Sequence, residues 1–372
     1  MKIAMIGQKG IPALTGGVER HVDELSTRLV KQGHQVTVFC RSTYSKDRYL
    51  DHEGVRLKYI TTLNHKSLEA VVYSFLASVT ALFQDYDLIH YHALGPASLS
   101  FIPKLLQRKT VVTVHGLDWQ RDKWGKAAKL YLKFGETVTG KISDQIISVA
   151  EPLCNYFIEK YQRTPDNVGY IPNGVNFYPA REPDEIRKYG LDKENYLLFL
   201  ARLVPEKGVH YLIEAYRQSV TDKKLVIAGG SSHSDDYVSR LRKMADGNSN
   251  IIFIGNVQGK VLQELYSNAY LYVLPSDLEG MPISLLEAMS YSRCCLVSDI
   301  PENMQVVKSN YGFSFIQADP DSLKAKIEFL LENPHLVAQT GQRAFEEAKF
   351  NYNWDAIVEK TLQLYRSVLQ VG

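Results

Sequence analysis

Short runs of consecutive apolar residues alternate along this chain with longer stretches in which apolar positions recur every three or four residues. The runs at residues 3–6, 36–40, 57–60, 88–91, 110–114 and 145–149 have the length and β-branched or aromatic character of buried strands. Between them, residues 18–32 carry Val22, Leu25, Leu29 and Val30 at helical spacing, and residues 68–83 read as a second helix. The pattern then restarts. Residues 196–201 read as a strand, 209–218 as a helix and 224–228 as a strand ending in Gly229-Gly230. Further strands follow at 251–254, 271–274 and 295–298. Strands separated by helices call for parallel pairing with helices on both faces. Asn173-Gly174, Pro179 and Pro183 punctuate the chain between the two series, so a domain boundary is expected near residues 175–183. Two α/β domains in tandem imply a ligand cleft outside the carboxyl ends of their strands.

Composition bounds this picture without changing it. A chain of 372 residues exceeds one ordinary core, and 45% apolar with 23% charged residues is the balance of a soluble globular protein. A formal net charge of +2 gives no support to a nucleic-acid partner. Cys40, Cys154, Cys294 and Cys295 have neither Cys-x-x-Cys nor Cys/His ligand spacing, which suits a reducing compartment and argues against structural zinc. The chain opens on a strand and not on a signal-peptide pattern, and no apolar run reaches the roughly 18–20 residues of a membrane span. The expected location is cytoplasmic.

Candidate chemistry concentrates in the segment Asp277-Leu278-Glu279-Gly280-Met281-Pro282-Ile283-Ser284-Leu285-Leu286-Glu287. It follows the strand at 271–274, and Pro282 suits a first helical turn, where a missing N–H costs nothing. Glu279 then lies in a strand-to-helix loop at the positive end of the helix, and Glu287 one to two turns further on. The backbone N–H groups of Gly280, Met281, Pro282's neighbours and Ile283 form an anion site suited to a diphosphate. The spacing alone favours the plainer reading of a solvated loop Glu and a helix-surface Glu, and the functional one draws on the rest of the chain. Arg202 ends another strand, and Lys207 returns just before a helix; two cations there suit a leaving diphosphate, or else a surface salt bridge with Glu206.

Other features point the same way with less force. The first strand-to-helix loop, residues 7–17, does not match the Gly-x-Gly-x-x-Gly dinucleotide pattern, but Gly16-Gly17 directly precedes a helix and permits close approach of a phosphate or sugar. His115 ends the strand at 110–114 beside Gly116, in position to contact a sugar. His90 and His92 alternate at a strand end like a metal pair, yet no carboxylate cluster accompanies them, so they read as packing or cleft lining. Asp319-Pro320-Asp321 is an Asp-x-Asp sequence, and it reads as the cap of a helix over residues 323–331; no metal is therefore expected. A basic-aromatic stretch at 123–134 puts Lys126, Lys129 and Lys133 on one helical face flanked by Lys123, with Trp124, Tyr131 and Phe134 on the adjacent apolar arc. That suits an anionic membrane surface or a lipid-diphosphate acceptor, or else a core-facing helix with a solvated back.

Taken in order, these pieces resemble family 4 of the retaining glycosyltransferases, on the GT-B fold of two Rossmann-like domains facing a cleft. The resemblance is carried by Gly16-Gly17-Val18-Glu19, Val114-His115-Gly116, residues 143–151, Ile171-Pro172-Asn173-Gly174-Val175, Arg202 with Lys207, and Glu279 with Glu287-Ala288-Met289. It implies transfer from a nucleotide-sugar with retained anomeric configuration and no metal or other cofactor. Arg202 and Lys207 would hold the diphosphate with Gly17 closing on it, Glu279 would contact the donor sugar, Glu287 the ribose, and His115 a far hydroxyl. The leaving phosphate would take the acceptor's proton on the same face. A C-terminal helix crossing back to the first domain is also implied, and Tyr352-Asn353-Trp354-Asp355 leading into residues 356–369 fits it. Expected domains are thus 1–177 with 355–372, binding the acceptor, and 178–354, binding the nucleotide-sugar.

Departures from the family pattern are local. Ser292, Cys294 and Cys295 stand where relatives carry a Gly and a Pro-Val pair, so the left-handed cap that glycine favours is expected to be missing. Met304-Gln305 replaces a common acidic residue. The expected activity is a bacterial-type transfer, with UDP the first expectation for the base, onto a saccharide or polyprenyl-diphosphate-linked acceptor in surface-polysaccharide synthesis. The nucleobase would lie near residues 229–232 and 256–262. Two other readings stay open: a nucleotide-sugar 2-epimerase of the same architecture, and a non-catalytic sugar-binding subunit of a synthase complex.

Overall fold

The computed structural model describes the chain except for residues 15, 46, 63–68, 122–123, 233 and 371–372. The chain divides into two units, Met1–Gly174 with Trp354–Gly372, and Val175–Asn353.

The first unit runs β1 (Lys2–Ile6), α1 (Gly17–Lys31), β2 (Gln35–Arg41), β3 (Asp51–His52), β4 (Val55–Ile60), α2 (Glu69–Leu82), β5 (Leu88–His92), α3 (Leu94–Ala97), α4 (Phe101–Leu105), β6 (Lys109–Val114), α5 (Lys126–Ile142), β7 (Gln145–Ser148), α6 (Glu151–Tyr161) and β8 (Val168–Tyr170). Its sheet has the order β3-β4-β2-β1-β5-β6-β7-β8, and only the β3–β4 pair is antiparallel. Alternation along β1 builds both halves of the core: Ile3 and Met5 join Val22, Leu25 and Leu29 of α1, while Ala4 and Ile6 join Tyr73 and Ala77 of α2. A strand buried on both faces must be apolar throughout, which is why these strands read as unbroken runs.

The second unit runs β9 (Tyr196–Leu200), α7 (Val209–Gln218), β10 (Lys224–Ala228), α8 (Asp235–Ala245), β11 (Ile251–Gly255), α9 (Gly259–Asn268), β12 (Leu271–Leu274), α10 (Ile283–Ser290), β13 (Cys294–Ser298), α11 (Pro301–Val307), β14 (Phe313–Phe315), α12 (Pro320–Glu332) and α13 (Pro334–Asn351). Its sheet, β11-β10-β9-β12-β13-β14, is parallel throughout. The last helix, α14 (Trp354–Gln370), belongs to the first unit and buries Ile357, Val358, Leu362 and Tyr365 in its core. Both sheets have the doubly wound order, whose switch points lie between β1 and β5 and between β9 and β12.

Several expectations need correction. The division falls at 174/175 and 353/354, ahead of the expected 177/178 and 354/355. Val175 bridges Asn353 and donates its N–H to the Tyr352 carbonyl at 2.7 Å, so the second unit closes on its own ends there. Pro282 is the residue before α10 and not within its first turn. The basic-aromatic helix begins at Lys126; Trp124 precedes it and Lys123 lies outside the described residues. Its arc differs too: Phe134 is exposed beside exposed Lys126 and Lys133, while Lys129 is half-buried and Tyr131 turns in to bond the Gly95 carbonyl at 2.9 Å. The left-handed cap after α10 is present. Ser292 itself adopts φ 58°, with Ser292 N–H donating to Met289 and Arg293 N–H to Ala288. Asp319 caps α12, its Oδ1 accepting from the N–H groups of Asp321 and Ser322 at 3.0 Å each. No helix among the described residues is long and apolar enough to cross a membrane.

Candidate functional site

At the switch point of the second unit, the loops after β9 and β12 are laced together. Gly208, at φ 65°, lies so close to the Pro275 carbonyl that a Cβ would stand 1.8 Å from its oxygen. Asp277 N–H donates to the Glu206 carbonyl at 2.9 Å. This lacing fixes Lys207 and Glu279 as a partly buried ion pair, with Ser276 Oγ also donating to Glu279 Oε1 at 2.7 Å. The pair corrects the alternative reading of Lys207, since its carboxylate partner is Glu279 and not Glu206. Ser298 and Asn303 steady the same loop, Ser298 Oγ donating to the Ser276 carbonyl and Asn303 Nδ2 to Ser298 Oγ at 3.0 Å.

Glu287 is half-buried on α10, and its Oε2 accepts from Tyr266 OH at 2.9 Å. Met281 and Pro282 are buried, Gly280 and Ile283 half-buried. Pro282 supplies no capping side chain to α10; its carbonyl takes the N–H groups of Leu285 and Leu286, at 3.1 and 3.4 Å, and the N–H groups of Ile283 and Ser284 ahead of them have no side-chain cap. Arg202 is exposed just past β9. Near it, Leu203 bridges Ser231 and donates its N–H to the Gly230 carbonyl at 2.9 Å, and Gly230 sits against the Asn256 side chain. The strand ends expected around a nucleobase are therefore neighbours. Glu302, at the start of α11, was not read from sequence. Burial raises its carboxyl above the usual range and the Glu279 charge adds to that. Its position after a strand's carboxyl end, behind Pro301, is the signal that marks it.

The first unit holds a second cluster at its own switch point. Gly16, just ahead of α1, and Gly17, its first residue, are exposed, and Gly16 at φ 100° leaves room for Glu19, whose carboxylate accepts from Lys9 N–H at 3.1 Å. His115, half-buried after β6, lies with Nε2 3.3 Å from His92 Nδ1. His21 of α1 packs edge-on to His115, and its Nδ1 is 2.9 Å from Asn173 Oδ1. Burial holds His115 and His92 well below the ordinary imidazole value, with neighbouring histidines adding to it, and lowers His21 to about 4. His92 thus belongs to a side-chain cluster at the strand ends, whereas His90 packs, bonded to Tyr365 OH and Thr113 Oγ1 at 2.7 Å each. The sequence signal for His21 is its place one turn into the helix that Gly16-Gly17 opens.

Beyond His115, Trp119 donates from Nε1 to Glu136 of α5 at 2.5 Å, and Tyr156, Tyr161 and Lys160 converge on the same carboxylate. A cavity of about 550 Å³ lies against this network, lined by Trp119, Lys133, Lys141, Lys160 and Tyr161 among others.

Residues 15–177 match the family described as Glycosyltransferase Family 4, and residues 181–347 match Glycosyl transferases group 1. The chain is 27% identical to an uncharacterized glycosyltransferase of Methanocaldococcus jannaschii, over 100% of this chain and 99% of that one. It is 26% identical to the UDP-Gal:alpha-D-GlcNAc-diphosphoundecaprenol alpha-1,3-galactosyltransferase of Escherichia coli, over 83% of each. Among solved structures, Anabaena HepE in complex with UDP and glucose superposes with a TM-score of 0.82 at 19% identity, covering 99% of this chain and 100% of that one.

Proposed function

From the premise that this chain is a glycosyltransferase of family 4, we propose that it moves a sugar from a UDP-sugar to a saccharide or lipid-linked saccharide, retaining the anomeric configuration and using no metal. The observation that carries this reading is the Lys207–Glu279 pair held at the β9/β12 switch point beside the uncapped start of α10. A diphosphate set there meets the first N–H groups of α10, the Lys207 ammonium and the Arg202 guanidinium, which together offset the charge that grows on the leaving group. Glu279 is then freed from Lys207 for donor-sugar hydroxyls, and Glu287 for the ribose. His115, kept neutral by burial, contacts a sugar hydroxyl, and the leaving phosphate takes the acceptor's proton.

The donor base and acceptor rest on relatives: UDP accompanies HepE, and the galactosyltransferase is named for a diphosphoundecaprenol-linked acceptor. The exposed Lys126, Leu130, Lys133 and Phe134 on α5 support a contact with an anionic membrane surface, which would place the protein at the inner face of the cell membrane. Purified chain, a panel of UDP-, GDP- and dTDP-sugars and a polyprenyl-diphosphate saccharide in EDTA test the reading. Acceptor-dependent sugar transfer with the α-anomer kept is expected. A strict divalent requirement, inversion, or donor conversion without an acceptor would each overturn it, the last in favour of a 2-epimerase.

A further inference from the structure

Three elements of the first unit bring imidazoles to one point: His21 from α1, His92 from the end of β5 and His115 from the end of β6. One ring nitrogen of each lies within 4.8 Å of the other two. His92 Nδ1 and His115 Nε2 are already 3.3 Å apart. Two imidazole nitrogens bound tetrahedrally to zinc at about 2.0–2.1 Å stand about 3.3–3.4 Å from each other. That pair therefore has the bite of a zinc chelate, and the third nitrogen has at most about 1.5 Å to close.

The surroundings are those of a metal site more than of a packed core. Asn173 Oδ1 lies against His21 Nδ1 at 2.9 Å, the outer contact that fixes a ligating ring's tautomer and leaves Nε2 with its lone pair. The fourth histidine, His90, has both ring nitrogens committed to Tyr365 and Thr113, which excludes it as a ligand.

We propose that His21, His92 and His115 form a three-histidine site for a divalent cation of the zinc class, with the fourth coordination position open. The cation is no part of the transfer chemistry. Because His115 is read above as a sugar contact, occupancy should inhibit transfer; this consequence rests on that reading, whereas the site does not.

The untagged full-length chain, stripped with a chelator, tests the site with Co²⁺ as the probe. One equivalent should give the visible bands of four-coordinate cobalt, and Zn²⁺ should abolish them. His21→Gln and His92→Gln should each weaken Zn²⁺ binding at least tenfold, and Asn173→Ala about 10–100-fold, as loss of an outer partner does. Folded wild-type chain without cobalt bands, or unchanged affinity in a folded His92→Gln chain, overturns the site. Should that variant not fold, the wild-type stoichiometry and spectrum decide alone. Binding without loss of transfer would uphold the site and overturn the role given to His115.

Discussion

Lys207 and Glu279 constrain each other more tightly than their positions in the chain suggest. They are separated by most of a sheet in sequence, and Gly208 against the Pro275 carbonyl is what brings their loops together. Their side chains retain only 13% and 6% exposure, so removing one charge takes away the other's ion-pair partner at a mostly buried site, which costs about 3–5 kcal/mol in comparable pairs. Glu279→Gln and Lys207→Met should each reduce transfer by about 10²–10³-fold, the range for losing one group that stabilises developing charge. The double variant should be more stable than either single one. Full transfer by either single variant would remove both residues from the site. The residue types and their neighbourhood at strand ends were legible in the sequence, as was Asp319 as a cap. Their pairing was not, because it depends on how two loops pack, and neither was Glu302, whose only sequence mark is Pro301.

Secondary elements explain which expectations failed. The unbroken apolar strands and helical periodicities were readable because both faces of each sheet are buried; β3, β8 and β14 are two or three residues long and too short to show a period. The cap after α10 was misread for a different reason. Tertiary packing holds Ser292 left-handed, with Gly341 of α13 so close to its carbonyl that a Cβ would stand 2.2 Å away. A left-handed non-glycine residue costs about 1–2 kcal/mol, partly offset by glycine's greater freedom in the unfolded chain. Ser292→Gly should therefore stabilise the second unit by about 0.5–1 kcal/mol, read as a rise of about 2 °C in its melting temperature. A fall would mean that the serine side chain contributes to the cap. The face of α5 makes a separate prediction. Each basic residue near an anionic surface is worth about 1 kcal/mol, so replacing Lys126, Lys129 and Lys133 by Gln should lower partitioning onto anionic vesicles by about a hundredfold. Unchanged partitioning would leave α5 a structural helix with a solvated back.

At the scale of the whole molecule, the chain's order and its units disagree, since the first unit is completed only by the last helix. The two series of strands made the twofold division legible, but the composition of α14 resembles any other amphipathic helix, and its destination came from family resemblance and not from its own residues. Its role in stability follows from what it buries. Trp354, Ile357, Val358, Leu362, Tyr365 and Val368 all lie inside the first unit. Burial of a large apolar side chain is worth about 1.5–3 kcal/mol, so even the lower figure gives about 9 kcal/mol, comparable to the whole stability of a domain at about 5–15 kcal/mol. Tyr365 OH also meets His90 Nδ1 at 2.7 Å, and its loss would strand that buried ring. A chain ending at Asn353 should thus keep a cooperative melting transition for the second unit and lose the one for the first. Its second unit should still bind UDP, while protease cleavage should concentrate before residue 175. Two intact transitions in calorimetry would mean that the first unit stands without α14, and that the return of the chain serves something other than its core.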